Sequence, residues 1–339
     1  MRAWGNLPGD DPKRDREAAE AELEAAGIDL DPLPPGHSHP HQHSLPGQPP
    51  AIGIVGAGAV GTALGVALSR AGWPIHAVAS RDATRRERFR SMVEVRRAFV
   101  DPEPLVEEVE LIILAVPDDV VGTLAGTLRM YGGQAMIHTS GALDAAVLAP
   151  AMAAGTQIGS FHPLVSFADT ERAVQALRGA TIAIEADDQL AAMLANMAEA
   201  IGATPVRLAP GAKAAYHAAA VLAAGGFVAL LDAIVELGRA AGLDETGSLA
   251  IYGRLIEGTL GNARALGVAA ALTGPVARGD LGTLRVHLEA LRAHAPRAMD
   301  LYLAAARREV DLAESRGSLA PELALATRTV LDRALAPGD

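Results

Sequence analysis

The segment AIGIVGAGAVGTALGVAL, residues 51–68, constrains the fold more than any other stretch of the chain. An apolar run of strand length leads directly into Gly56, Gly58 and Gly61 in the spacing G-x-G-x-x-G, and an amphipathic helical pattern follows at once. Each glycine has a task in such a unit. The first permits the tight turn, the second leaves room for a pyrophosphate to approach the backbone, and the third lets helix and strand pack closely. Phosphates then rest on the helix N-terminus, where unpaired N–H groups and the helix dipole favour negative charge. The expectation is a dinucleotide site formed by Gly56, Ala57, Gly58, Ala59, Val60 and Gly61.

The flanking pattern agrees with that unit. Apolar runs AIGIV, PIHAVA, ELIILAV and QAMIH each precede a stretch long enough for a helix, which is how a parallel α/β sheet reads. Further short strands are expected at QIGSF, ATIAIE and TPVRL, with DQLAAMLANMAEAIG as a helix between the last two. After Pro210 the strands stop, and helices are expected over 211–242, 246–266, 280–294, 296–314 and from about Pro321. The fold class is therefore α/β, a Rossmann-type domain over 51–209 followed by an all-helical domain over 210–339 for substrate and dimerisation. Residues 1–50 are expected to form a flexible extension, in which DPKRDREAAEAELEAAG could form one charged helix and PLPPGHSHPHQHSLPGQPP a mobile linker. His37, His39, His41 and His43 alternate there and could chelate a divalent metal, but a flexible tract lacks the surrounding groups that orient metal ligands, so a solvated tail with no metal site is expected.

Composition removes several function classes. A net charge of −11 argues against nucleic acid, whose phosphates require clustered Lys and Arg, and leaves small molecules or protein surfaces as partners. With no cysteine there is no thiolate nucleophile, disulfide or Cys-ligated zinc. The start MRAWGNLPGD lacks a signal-peptide pattern, so a cytoplasmic location is expected. The longest apolar run, 218–231, is shorter than the roughly 20 residues that span a bilayer and carries Gly225 and Gly226 at its middle. It reads as a buried helix rather than a membrane span, and the two glycines suggest close approach by another helix or a ligand.

The end of PIHAVA meets the adenosine ribose in such folds. Ser80 and Arg81 stand there, with Arg85 and Arg86 just beyond. A hydroxyl and guanidinium groups suit a 2′-phosphate, so NADP is expected rather than NAD, with Asp82 a rival ribose ligand. Arg88 and Arg90 read as an exposed helix face. Ala115, Val116 and Pro117 close the ELIILAV strand, either along the dinucleotide or as a plain strand end. His138, Thr139 and Ser140 end the next strand, and Ser140 could bind a substrate oxygen or cap the following helix. His162 could relay a proton, with Ser166 four residues on, or be a buried histidine satisfied by backbone. Lys213 and His217, spaced i and i+4 with Tyr216 beside them, could face a cleft or lie on a solvated first turn. Arg278 could bind a substrate carboxylate or phosphate, across a dimer interface included, or pair with Asp280, which can cap the next helix after the TGPVARGD turn.

LIILAVPDDVV, HTSGAL, FHPLVSF, KAAYHAAAVLAA and LTGPVARGD occur in that order. Together they resemble the Rossmann-like, DUF2520-containing family of NADP-dependent oxidoreductases, over residues 51 to about 303. Such proteins are similar in plan to 6-phosphogluconate and β-hydroxyacid dehydrogenases, pyrroline-5-carboxylate reductase and ketopantoate reductase, in which a helical domain completes the active site and usually a dimer. The resemblance implies a lysine such as Lys213 as general acid or substrate clamp and His162 near the substrate loop. It also exposes a departure, since the family often carries Asn where this chain has Gly225. The leading expectation is hydride transfer to or from a small carbonyl, imine or hydroxy compound at the cleft between the domains, with Lys213 or His162 handling the proton. The alternative is a non-catalytic NADP(H)-binding or redox-sensing protein.

Overall fold

The computed structural model describes residues 48–167 and 170–334. The expected N-terminal helix, the linker and the four alternating histidines lie outside the described residues. Two compact units divide after Ala218, so the first turns of the long helix expected from 211 belong with the sheet.

The first unit is built on an eight-stranded sheet in the order β3-β2-β1-β4-β5-β6-β7-β8. The strands are β1 Ile52–Val55, β2 Ile75–Ala79, β3 Arg97–Phe99, β4 Leu111–Leu114, β5 Ala135–His138, β6 Gln157–Pro163, β7 Thr181–Ala186 and β8 Thr204–Arg207. Between them run α1 Ala59–Arg70, α2 Ala83–Val93, α3 Glu103–Val106, α4 Asp118–Thr127, a 3₁₀ segment Ala145–Ala154, α5 Thr170–Leu177 and α6 Asp188–Ala200. Strands β1 to β6 are parallel, as the first four apolar runs predict. Strand β7 runs antiparallel to β6.

The central strands are apolar at every position because helices cover both faces. Ile52, Ile54, Leu111 and Ile113 pack on one side with Leu64, Leu68 and Phe89. Val55, Ile112 and Leu114 pack on the other with Leu105, Val121 and Leu148. This period-two division of IGIV and LIIL fixes register, since a one-residue slip would exchange the two faces. Each fully buried Ile or Leu contributes about 1.5–3 kcal/mol. The chain goes outward from β1 to β2 and β3, then returns to place β4 on the other side of β1. That reversal opens a crevice at the carboxyl ends of β1 and β4, where ligands bind in open α/β sheets.

The helices beyond β8 fall close to their expected positions. They are α7 Lys213–Ala240, α8 Glu245–Leu266, α9 Val268–Ala271, α10 Pro275–Arg278, α11 Leu281–His294, α12 Met299–Ser315 and α13 Pro321–Arg333. In the second unit Leu284, Leu288 and Leu291 of α11 meet Leu303, Ala306 and Val310 of α12 at helical spacing to form its core. One expectation is overturned. Helix α7 was expected to be buried, yet only 6% of its most apolar window is buried, and Leu222 and Val228 are 72% and 64% exposed. The reason is that the core of this unit is made by α10 to α13, which leave most of α7 uncovered. At 28 residues α7 is also long and apolar enough to cross a membrane by length and composition, which the run read from the sequence was not. Gly225 and Gly226 lie in a π-helical turn, Leu222–Gly226, and a Cβ added at Gly225 would meet nothing within 4 Å. Among the described residues no other helix makes the close approach the glycine pair suggested.

Candidate active site

Gly56 follows β1 with φ 106°, a conformation that strains any residue with a side chain. A Cβ there would also strike the carbonyl oxygen of Ala115 at the end of β4, and one at Gly61 would strike the carbonyl oxygen of Gly56. The two glycines therefore draw β1, β4 and α1 together. Gly58 differs, because a Cβ there would meet nothing within 4 Å and the space over the turn is open. Helix α1 has Gly58 at its N-cap, no side-chain cap and no acid in its first turn. Its leading N–H groups are left for an external acceptor, which is what a pyrophosphate supplies. Ala115 and Val116 are half-buried beside the turn, and Pro117 caps α4.

At the end of β2, the Ser80 N–H donates to Phe99 O at 3.0 Å, and the Arg86 guanidinium donates to the Ser80 carbonyl. Asp82 caps α2 by accepting from Arg85 N at 3.0 Å and pairs with the Arg85 side chain at 3.3 Å. Both carboxylate oxygens are thus engaged, which weakens Asp82 as a ribose ligand. Arg81 is exposed and has no partner among the described residues.

A second cluster forms around the ends of β5 and β6. His138 ends β5, His162 lies on β6, and Lys213, Tyr216 and His217 occupy the start of α7. The His162 ring stands edge-on to Tyr216 and to His217, with centroids 5.8 and 5.7 Å away. Gly141 makes this possible, since a Cβ there would strike His217 Nδ1 and lie 2.7 Å from His162 Nε2. Lys213 is 1% exposed, so it does not lie on a solvated turn. Among the described residues its Nζ has no hydrogen-bond partner, and neither do Nδ1 of His138, His162 and His217 or the Tyr216 hydroxyl. Buried polar groups are normally paired, so five orphaned atoms in one place mark a site for a polar ligand.

Burial sets the charge state of this cluster. It pushes the Lys213 ammonium down to about 8, against the pull of Glu185, Asp144 and Asp118. Burial, followed by the charge of Lys213, lowers His138 and His162 to about 4. Burial raises the Tyr216 phenol. At neutral pH the cluster therefore holds a charged lysine beside neutral His138 and His162. His138 Nε2 lies 3.2 Å from the Asp144 carbonyl, which only accepts, so Nε2 carries the hydrogen and Nδ1 presents a bare lone pair.

With the geometry in place, comparison with known proteins gives it a setting. Residues 39–163 match the model of the Rossmann-like domain, and residues 180–309 match that of DUF2520, a domain of unknown function. The chain carries a Rossmann-like domain followed by a DUF2520 domain. Among solved structures it is similar to a provisionally assigned NADP oxidoreductase of Bacteroides fragilis, at 23% identity and TM-score 0.61, over 77% of this chain and 98% of that one. A Thermotoga maritima protein is 25% identical with TM-score 0.60, over 78% and 99%. An imine reductase from a Pseudomonas species is 17% identical with TM-score 0.60, over 85% and 100%. These likenesses establish the fold. A search of the curated proteins gives no match.

The DUF2520 match begins before β7, so its domain supplies Glu185, Lys213, Tyr216 and His217, while the Rossmann-like domain supplies His138, Gly141 and His162. Ser140 accepts the N–H groups of Ala142 and Leu143 at 3.1 and 3.0 Å, so its hydroxyl shapes the turn. Ser166 is exposed. Arg278 ends α10 in the second unit, exposed, and its charge adds to the Thr283 hydrogen bonds in holding the Asp280 carboxyl below its ordinary value. Asp280 caps α11 through Thr283 N and Oγ1, at 3.0 and 2.7 Å. Sequence reasoning passed over Gly141 and Glu185, and placed His138 at a strand end without giving its ring a role. The available signals were a histidine closing the apolar QAMIH strand and an acid inside ATIAIE.

Proposed function

We propose that this chain is an NADP-dependent oxidoreductase that moves hydride to or from a small carbonyl, imine or hydroxy compound. The observation that carries the reading is the turn at Gly56–Gly61, closed by two glycines and open over the third. When bound, the nicotinamide supplies or takes the hydride. Arg81, free at the end of β2, and Ser80 beside it would hold the 2′-phosphate that distinguishes NADP from NAD. Likeness to the provisionally assigned NADP oxidoreductase of B. fragilis supports this cofactor, and likeness to the imine reductase supports the reductase class of reaction.

Lys213 is the proton donor in this reading. With an affinity near 8 it is charged at neutral pH yet close enough to neutrality to give the proton up, as general acids require. His162, held near 4, is neutral under those conditions and serves as hydrogen-bond partner or as base in the oxidative direction. His217 closes the ring cluster against it. The reading includes a homodimer in the cytoplasm, with a small molecule as substrate. Fluorescence titration with NADPH and NADH, followed by a spectrophotometric screen of NADPH oxidation over oxo acids, aldehydes and imines, tests it. Failure of both dinucleotides to bind would end it.

A further inference from the structure

The orphaned groups around Lys213 can be matched against ligand chemistry. An ammonium brings three N–H donors, a phenol one, and each imidazole at least one. Lys213, Tyr216, His162 and His217 thus present more donors than a carbonyl oxygen, with two lone pairs, can accept, and far more than an imine nitrogen can. A carboxylate adds about four acceptor sites. Charge points the same way. Glu185, Asp144 and Asp118 act on Lys213 through space, but none reaches Nζ, and Glu185 accepts instead from Ala145 N at 2.9 Å. The ammonium thus keeps its hydrogen-bonding capacity for a ligand. An iminium would bring a second cation against it.

We infer that the site takes a 2-oxo or 2-hydroxy acid, with the Lys213 ammonium bridging one carboxylate oxygen and the neighbouring keto or hydroxyl oxygen. The two oxygens lie on adjacent carbons, so one ammonium can contact both. The second carboxylate oxygen meets the Tyr216 hydroxyl and the imidazoles of His162 and His217. The inference rests on the oxidoreductase reading and narrows its substrate class to oxygen at the reacting carbon, in contrast to the imine reductase of similar fold.

The test is calorimetric titration of the full chain with oxamate, a non-reducible stand-in for a 2-oxo acid, alongside fluorescence titration with NADPH. Oxamate should bind, and Lys213→Met should weaken it about tenfold or more while leaving NADPH affinity within about threefold. Tyr216→Phe, which leaves the buried lysine in place, should weaken oxamate by a smaller factor. Affinity should fall about tenfold per pH unit above about 8, as Lys213 loses its proton with His138, His162, Glu185, Asp144 and Asp118 around it. A chain that binds NADPH but not oxamate overturns the inference and leaves the oxidoreductase reading intact. Oxamate binding that depends on Lys213 without any NADPH binding supports the acid site and ends the oxidoreductase reading instead. Unchanged oxamate affinity in Lys213→Met, or faster reduction of a cyclic imine than of every 2-oxo acid tried, also overturns it.

Discussion

Lys213 keeps its charge at neutral pH although it is buried, because Glu185, Asp144 and Asp118 offset part of what it loses in leaving water. Removing its amine should therefore remove chemistry rather than cofactor binding. Lys213→Met is expected to lower turnover on an identified substrate by roughly 10²–10⁴-fold, the usual worth of general acid catalysis, with NADPH affinity retained. A rate within about threefold of the parent would show that the lysine is not catalytic. His138 makes a stability prediction of definite sign. Its affinity is about 4 in the fold and near 6.5 when unfolded, so above pH 6.5 both states are neutral and the ring adds no pH dependence. As pH falls below 6.5 the unfolded chain takes up the proton first, and stability drops until about pH 4, where the loss levels off. The loss from this fully buried ring is on the order of 3 kcal/mol. Denaturant unfolding across that range should show a flatter profile for His138→Asn, and superimposable profiles would contradict the argument. The sequence revealed His162, Lys213 and His217 because ionisable groups bordering apolar runs stand out. It concealed Gly141 and the loneliness of Lys213 Nζ, which depend on where β5, β6 and α7 meet.

At the scale of elements, the turn between β1 and α1 was legible because each glycine's task is local, and the structure assigns the three glycines different tasks. Gly61→Ala should strain the fold, since its Cβ meets the Gly56 carbonyl and approaches Ala115 Cβ at 3.1 Å, and backbone cannot swing aside as a side chain can. A loss of about 1–3 kcal/mol is expected, read as a lower melting temperature. Gly58→Ala meets nothing within 4 Å, so it should melt like the parent yet lose NADPH affinity by occupying the space over the turn. Equal melting temperatures for the two variants would refute the division of labour. Other elements were not legible. Strand β3 is three residues at a sheet edge, too short for a period, and α9 and α10 are single turns within a segment that reads as a loop. The reversal of β7 was hidden because a buried strand has the same composition in either direction.

For the whole molecule the unresolved quantity is the apolar surface of the second unit. The sequence made α7 plainly apolar, but apolarity does not say whether the same chain or another copy covers a helix. The core made by α10 to α13 leaves Leu222, Val228 and Leu230 of α7 exposed, along with Ile251 and Leu255 of α8. Scattered apolar residues on a surface are ordinary, whereas this many on two long helices exceed what isolated soluble chains usually show. A second copy is the economical cover, because a two-fold contact lets one apolar surface serve both sides, and specific dimers bury roughly 1,200–2,000 Å². Light scattering at micromolar concentration should therefore give twice the 34.8 kDa chain mass. Leu222→Glu and Val228→Glu should shift the population toward monomer without lowering NADPH affinity, since the glycine turn and Arg81 lie in the other unit. A monomer mass for the parent chain would reject the dimer, and co-sedimentation of that chain with lipid vesicles would assign the surface of α7 to a bilayer instead.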